Sequence, residues 1–319
     1  MGILTMTGSL ALTQFWPKGE SDADTAKVLL SPNSPFKFQA FPGSPSVPTN
    51  VFNGVTARGK AKKAVIDKQN RVTVRFQGID APELHFPPHQ RRQHFGEFST
   101  DKLLVFLQTF KQDPLPCRVV TQVNSPNDVF DTFGRFIGDI LVTRGGQEIN
   151  LNHWLAEQGL AFPSLYNSMT IAEINVVVQA SETARAKKAG IWAAGAFTQN
   201  IGTLDRTLIF RRPPAVVQPD KGPVIFPKFF RRLSTWQDAK AKGKSKATSV
   251  KVFLAQTHPP DQFMLTKDVL SSGVTSAQVH NLADAINANN RINLAPKEMT
   301  FTEKPSQLLD KNGKRIVNF

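Results

Sequence analysis

The chain is expected to be an α+β protein, a barrel of short strands with helices packed outside it, followed by a smaller, basic and mainly helical C-terminal region. Three observations carry that expectation. From Ser9 to about Val123, short apolar runs rich in β-branched residues are separated by Gly, Pro, Asn and Asp, the texture of strands joined by turns. Helical periodicity occurs once inside that stretch and twice just after it. Beyond Phe197 the sequence turns Pro-rich and then Lys-rich. A five-stranded, nearly closed sheet accommodates one helix between its strands and others packed outside.

Taken in order, strands are expected near Leu10–Phe15, Thr25–Leu30, Lys37–Ala40, Lys63–Ile66, Arg71–Gln77, Arg118–Val123 and Arg135–Val142. Pro, Ser and Asn crowd residues 31–53 and mark an irregular excursion, read as an insertion over about 31–58. The first helix is expected over Gln90–Phe110, where Phe95, Phe98, Leu103, Leu104, Phe106 and Leu107 recur at three- and four-residue spacings before Pro114. The second covers Asn150–Gln158 and stops at Gly159, a residue suited to a left-handed cap. The third covers Ile171–Lys188, with Arg185, Lys187 and Lys188 where cations suit the helix dipole. These elements make a first domain of residues 1–197. A linker follows at 198–222, shown by RRPPAVVQPDKGP at 211–223, and then a basic region at 223–319 with a helix expected over Thr275–Ile292.

Composition limits what the chain can do. Forty per cent of its 319 residues are hydrophobic, enough for a sizeable core, and 24 Phe supply large side chains for it. Its net charge of +14 favours a polyanionic partner, because each Lys or Arg set on a phosphate releases counterions. Residues 198–319 hold 19 basic and 9 acidic residues, so most of the surplus is C-terminal. A lone cysteine, Cys117, allows neither an intrachain disulfide nor a multi-cysteine metal site. Residues 1–16 lack the pattern of a signal peptide, and no apolar run is long enough to span a membrane. A cytoplasmic protein without membrane or protein partners is the expectation.

The sharpest local signal is Arg75-Phe-Gln-Gly-Ile-Asp80-Ala-Pro-Glu83. A strand ends in a glycine turn and offers two carboxylates three residues apart, just beyond a strand arginine. Pro82 holds Ala81 extended, so the Ala81 carbonyl can face the same place as the acids. Such a corner suits a hard cation and a bound water. An ordinary surface turn accounts for the phrase equally well when it stands alone. A second segment, Asp131-Thr-Phe-Gly-Arg135, sets another arginine at a strand start. Two arginines near two carboxylates are useful where a phosphate must be gripped while charge builds on it.

Three ordered phrases together resemble the staphylococcal nuclease-like family: RVTVRFQGIDAPE (71–83), DTFGRFIGDILVTRGGQEINLNHWLAEQGLAF (131–162) and TARAKKAGIW (183–192). The resemblance covers roughly residues 1–197 and implies an OB-type five-stranded barrel and a Ca²⁺-dependent phosphodiesterase acting on DNA or RNA, with Mg²⁺ or another hard cation as alternatives. It implies that Asp80 and the Ala81 carbonyl hold the metal, that Glu83 orders the attacking water, and that Arg75 and Arg135 bind the scissile phosphate. The family's early Asp-Gly-Asp-Thr phrase has its best counterpart in Asp22-Ala-Asp24-Thr25, which makes Asp24 the second metal ligand. The competing assignment, by chain spacing, puts Lys60 in that place and leaves the site weak or dead.

Other candidates have two readings each. Tyr166 follows the Gln-Gly-Leu-Ala phrase and is either near substrate or a partly buried barrel-edge residue. His85, His89 and His94 match no standard zinc spacing and are read as loop residues. Lys228, Arg231 and Arg232 alternate with Phe229, Phe230 and Trp236, either as a grip on nucleic acid or as a helix whose aromatic side chains dock on the first domain. The alternative to a nuclease is an OB barrel that binds nucleic acid or protein without cutting.

Overall fold

The computed structural model describes residues 2–33, 36–43, 56–57, 64–123, 129–218, 222–302, 308–310 and 312–314. The expected insertion lies largely outside the described residues, and so does Lys60. Of the strand expected at Lys63–Ile66, Lys63 is outside them too, and Ile66 makes only an isolated bridge to Val72.

Fifteen strands and six α-helices occur among the described residues. They are β1 (Gly2–Leu10), β2 (Thr25–Leu30), β3 (Phe36–Ala40), β4 (Thr56–Ala57), β5 (Arg71–Phe76), β6 (Ile79–Asp80), α1 (Gly96–Gln108), β7 (Leu115–Val123), β8 (Phe136–Arg144), β9 (Gln147–Asn150) and α2 (Leu151–Glu157). Then follow β10 (Phe162–Pro163), β11 (Leu165–Tyr166), α3 (Ile171–Ala186), α4 (Pro227–Ala241), α5 (Val250–Ala255), β12 (Gln262–Leu265), α6 (Thr266–Ser272), β13 (Val279–Asn281), β14 (Met299–Phe301) and β15 (Leu308–Leu309).

Strands β2, β5, β8, β7 and β1 pair in that order, and β1 pairs back to β2, which closes a five-stranded barrel. All its pairs are antiparallel except β5–β8. Alternation builds the core: Ala26, Val28 and Leu30 of β2, Val72, Val74 and Phe76 of β5, and Phe136, Ile140 and Val142 of β8 all turn inward. Arg75 therefore falls on the face opposite Val74 and Phe76, at the end of its strand. The first strand is the largest departure from expectation: β1 runs over Gly2–Leu10, and Leu12–Gln14 form a 3₁₀ turn. Leu4, Met6 and Leu10 carry the inward period, with Thr and Ser between them.

Helix α1 starts later than its periodicity suggests, because Gln90 and Phe95 adopt left-handed backbone and fold residues 86–95 into a loop. Its first residue has to be small, since a β-carbon on Gly96 would lie 2.5 Å from the Glu83 carbonyl oxygen. Helix α2 is capped by Asn150, which accepts from the Asn152 and His153 amides, and α3 by the reciprocal Thr170–Glu173 pair. Gly159 and Gly190 meet where α2 and α3 end, and a β-carbon on Gly190 would lie 2.0 Å from the Gly159 oxygen. That contact is why the Gln-Gly-Leu-Ala phrase and the Ala-Gly-Ile-Trp phrase each need their glycine.

Beyond residue 222, α4, α5 and α6 supply most of the regular structure. Strands β12, β13 and β14, which the sequence reading did not anticipate, form a sheet with β11 in the order β11-β14-β12-β13. The helix expected over Thr275–Ile292 does not form; the segment holds β13, a 3₁₀ turn at Leu282–Ala285 and an Asn-rich turn. Asn287 accepts from the Asn289 and Arg291 amides, so its side chain competes with helical bonding. A second core gathers Phe226, Phe229, Phe230, Phe263 and Phe301 around Phe162 and Ile191. Burial of Phe229 and Phe230 corrects the idea that they offer stacking surfaces to nucleic acid; they dock instead.

The Pro-rich connection is tied to the barrel side. Trp16 donates to the Arg211 carbonyl at 3.0 Å, and Arg211 forms a two-pronged pair with Glu97, which is fully buried. Arg92 Nε lies 3.2 Å from the same carboxylate. Replacing Glu97 by Ala leaves two cations facing an emptied pocket. The expected cost is about 3 kcal/mol or more in denaturant unfolding. Cys117 points into the barrel, and burial pushes its thiol up to about 12, so it is no nucleophile.

Candidate active site

At one end of the barrel the start of β2, the end of β5, β6 and the start of β8 converge. Thr25 pairs with Arg75 across β2–β5, and the Phe76 amide donates to the Asp24 carbonyl at 2.9 Å, which carries the pairing one residue further. Asp24 is thereby held beside Arg75 although the irregular excursion separates them in the chain. Arg75 Nη1 lies 2.7 Å from Asp24 Oδ2, and its Nη2 donates to Asp80 Oδ1 at 2.8 Å. The Ala81 amide donates to Asp24 Oδ2 at 2.6 Å, and Thr25 Oγ1 donates to Oδ1 at 3.2 Å. Asp24 and Asp80 are buried, and the Arg75 side chain is 11% exposed.

Glu83 stands on the turn after β6. Gln93 fixes that turn from both sides, taking the Glu83 amide on its side-chain oxygen at 3.1 Å and giving its own amide to the Glu83 carbonyl at 2.8 Å. Arg135 is placed by Asp131, whose Oδ1 accepts from the Phe133 and Arg135 amides while Oδ2 takes Arg135 Nε at 2.7 Å. Its Nη1 then reaches Thr25 Oγ1 at 3.3 Å, beside Asp24. The side chain remains 30% exposed, facing the open end of the group.

Sequence reasoning missed one member of the cluster and placed a second differently. Asp22 joins the cluster: its Oδ1 is buried with no hydrogen-bond partner, and burial, Asp24 and Glu83 together push its carboxyl well above the usual range against the pull of Arg75 and Arg135. The Asp-x-Asp spacing in the turn that leads into β2 was the signal available for it. The second is Arg231. The sequence suggests either a grip on nucleic acid or a docked helix, and α4, docked by its aromatic side chains, carries Arg231 onto the acids. Its Nη2 and Nη1 donate to Asp80 Oδ2 and Oδ1 at 2.8 and 3.2 Å, and Nη1 also pairs with Glu83 Oε1.

Electrostatics follow from this packing. Burial raises Asp80, but Arg231 and Arg75 outweigh it and hold the carboxyl below its ordinary value. Burial lifts Glu83 above its ordinary value, with Arg231 opposing. Burial disfavours the charged forms of Arg75 and Arg231, yet the acids they touch raise both.

The remaining expected residues divide. Lys228 sits 5.7 Å from the Tyr166 ring centroid and 4.1 Å from that of Phe301, and it helps lower Asp80, so both Lys228 and Tyr166 border the site. Arg232 turns away to a two-pronged pair with Asp261. His85 bonds the Glu20 carbonyl at 2.8 Å, and His89 lies 3.6 Å from Asp238.

Among the described residues no three His, Cys, Asp or Glu side chains stand arranged to hold a metal ion. The donors of the cluster are nonetheless all hard oxygens, and the unpartnered Asp22 Oδ1 is a spare acceptor beside them. In kind they fit a hard divalent cation. What stands against Asp80 and Glu83 in this arrangement is a guanidinium.

Residues 73–194 match the family model described as staphylococcal nuclease homologue. The match holds Arg75, Asp80, Glu83 and Arg135 and leaves Asp22, Asp24, Lys228 and Arg231 outside it. No curated protein matches the chain. Among the described residues no helix is long and apolar enough to cross a membrane.

Proposed function

We infer, from the membership of residues 73–194 in the staphylococcal nuclease-like family together with the cluster at the barrel end, that the chain is a metal-dependent nuclease hydrolysing phosphodiester bonds of DNA or RNA. One observation carries this reading: Arg75 bridges the carboxylates of Asp24 and Asp80, with Glu83 and Arg135 beside them. Asp24 and Asp80 would hold the cation, Ca²⁺ by family resemblance, with the Ala81 carbonyl and Asp22 contributing oxygens. When bound, that cation polarises a phosphoryl oxygen and offsets its charge. Glu83, fixed by Gln93, orders and deprotonates the attacking water. Arg75 and Arg135 receive the phosphate with planar forks and offset the charge that grows on it. Lys228 and Tyr166 line the approach, and the chain's positive charge favours encounter with a polyanion.

The test of the Asp24 assignment is Asp24→Ala. Calcium affinity measured by calorimetry on protein checked to be folded should fall at least about tenfold, the loss that follows even when a group supporting a ligand is removed. Unchanged affinity would place the cation elsewhere. The hold of Arg231 on Asp80 and Glu83 favours a second reading, a barrel that binds nucleic acid without cutting it. Chelator separates the two, since it stops cleavage and spares simple binding.

A further inference from the structure

Arg231 belongs to α4, far along the chain from the acids it touches and outside the matched family span. The helix itself is anchored. Phe229, Phe230 and Leu233 sit in the second core, Gln93 Nε2 donates to the Ile225 carbonyl at 2.9 Å, and Arg91 pairs with Asp238 at 2.6 Å. The same loop that fixes the Glu83 turn thus fixes α4 against it. The Arg231 side chain, 28% exposed, reaches from this anchored helix to the acids and takes no part in its packing on the second core.

Its guanidinium stands on two groups that the proposed reaction needs open. Asp80 gives both oxygens to it and one of them to Arg75 as well, while Glu83 gives Oε1. A divalent cation seeking Asp80 competes with two charge-assisted bonds from Arg231 besides the one from Arg75, and a water seeking Glu83 meets an occupied oxygen. Asp22 lies in the same cluster, with its Oδ1 buried and without a hydrogen-bond partner. Asp22, Asp24, Asp80 and Glu83 crowd four carboxyl groups into one cluster, and Arg231 engages two of them, Asp80 and Glu83.

We propose that Arg231 is an internal latch on the nuclease site, a guanidinium that holds Asp80 and Glu83 closed and leaves them when a divalent cation binds. The proposal rests on the nuclease reading and concerns the regulation of that same site. Released, the side chain stays at the rim beside Lys228, where a phosphate of the substrate can receive it. Cation binding and the seating of substrate are then coupled through one side chain, each favouring the arrangement in which Arg231 has left the acids.

The experiment is calcium titration by calorimetry on the full chain, as wild type, Arg231→Gln, Arg231→Lys and Lys242→Ala. Lys242, exposed at the end of α4, controls for the loss of a positive charge. A competitor that must be displaced lowers apparent affinity by the fraction of time the site is free. Arg231→Gln should therefore bind calcium about tenfold tighter or more, Arg231→Lys should fall between it and wild type, and Lys242→Ala should stay within about twofold of wild type. Calcium binding that is unchanged or weaker in Arg231→Gln would overturn the latch while leaving the cation site standing. An equal gain in Lys242→Ala would overturn it too, by reducing the effect to net charge. Failure of every variant to bind calcium would overturn the cation reading, and the latch with it.

Discussion

Arg75→Ala should abolish measurable cleavage, with a loss of at least about a hundredfold, and should destabilise the fold as well. Both effects have one cause. The guanidinium bridges Asp24 and Asp80, which are 5% and 1% exposed, and no water replaces it easily. Removing one partner of a buried ion pair costs about 3–5 kcal/mol, because the other charge is left stranded. Here two carboxylates are stranded, though Arg231 and the Ala81 amide soften the loss. In the proposed reaction the same fork offsets charge on the phosphate, the kind of contact whose removal costs about two or more powers of ten in rate. Arg75→Lys keeps the charge and loses the fork, so it should recover stability more than rate. Denaturant unfolding and single-turnover cleavage read the two effects separately. A variant that unfolds like wild type would show that the bridge contributes nothing to the fold.

Glu83→Gln should cost about a hundredfold to ten-thousandfold in cleavage while binding of substrate changes little, since a positioned acid–base group supplies a factor of that size. The amide keeps the shape and its place on the turn that Gln93 holds. It cannot take a proton from water, and it weakens the grip of Arg231. The useful readout is the split between rate and affinity. Equal losses in both would assign Glu83 to substrate binding or to the fold rather than to the chemistry.

Much of this site was legible because its residues are tied to local backbone rules. The Asp80–Glu83 turn announces itself through Gly78 and Pro82, and Arg135 through the tight turn at Gly134, whose φ is +78°. Asp24 was legible as a phrase with Thr25, although the long excursion after β2 breaks the family's spacing. Its partner Asp22 lies in the same phrase, where no local backbone rule distinguishes it from an ordinary polar residue before a strand. Charge marks Arg231 in the sequence, but its destination does not show there. That depends on the packing of Phe226, Phe229 and Phe230 against Phe162, contacts between distant segments that no local pattern encodes. The same limit applies to β11 and β14, a parallel pair joining residues far apart in the chain. The missing helix at Thr275–Ile292 has a local reason, since its apolar spacing was right but its asparagines bond their own backbone.

The central claim is that the cluster at the barrel end cuts phosphodiester bonds with the help of a divalent cation. Incubation of single-stranded DNA and of RNA with the purified full chain, in Ca²⁺ and in chelator, tests it most directly. The account predicts cleavage of at least one polymer in Ca²⁺ and none in chelator. Binding of both polymers without cleavage under Ca²⁺, Mg²⁺ or Mn²⁺ would contradict it.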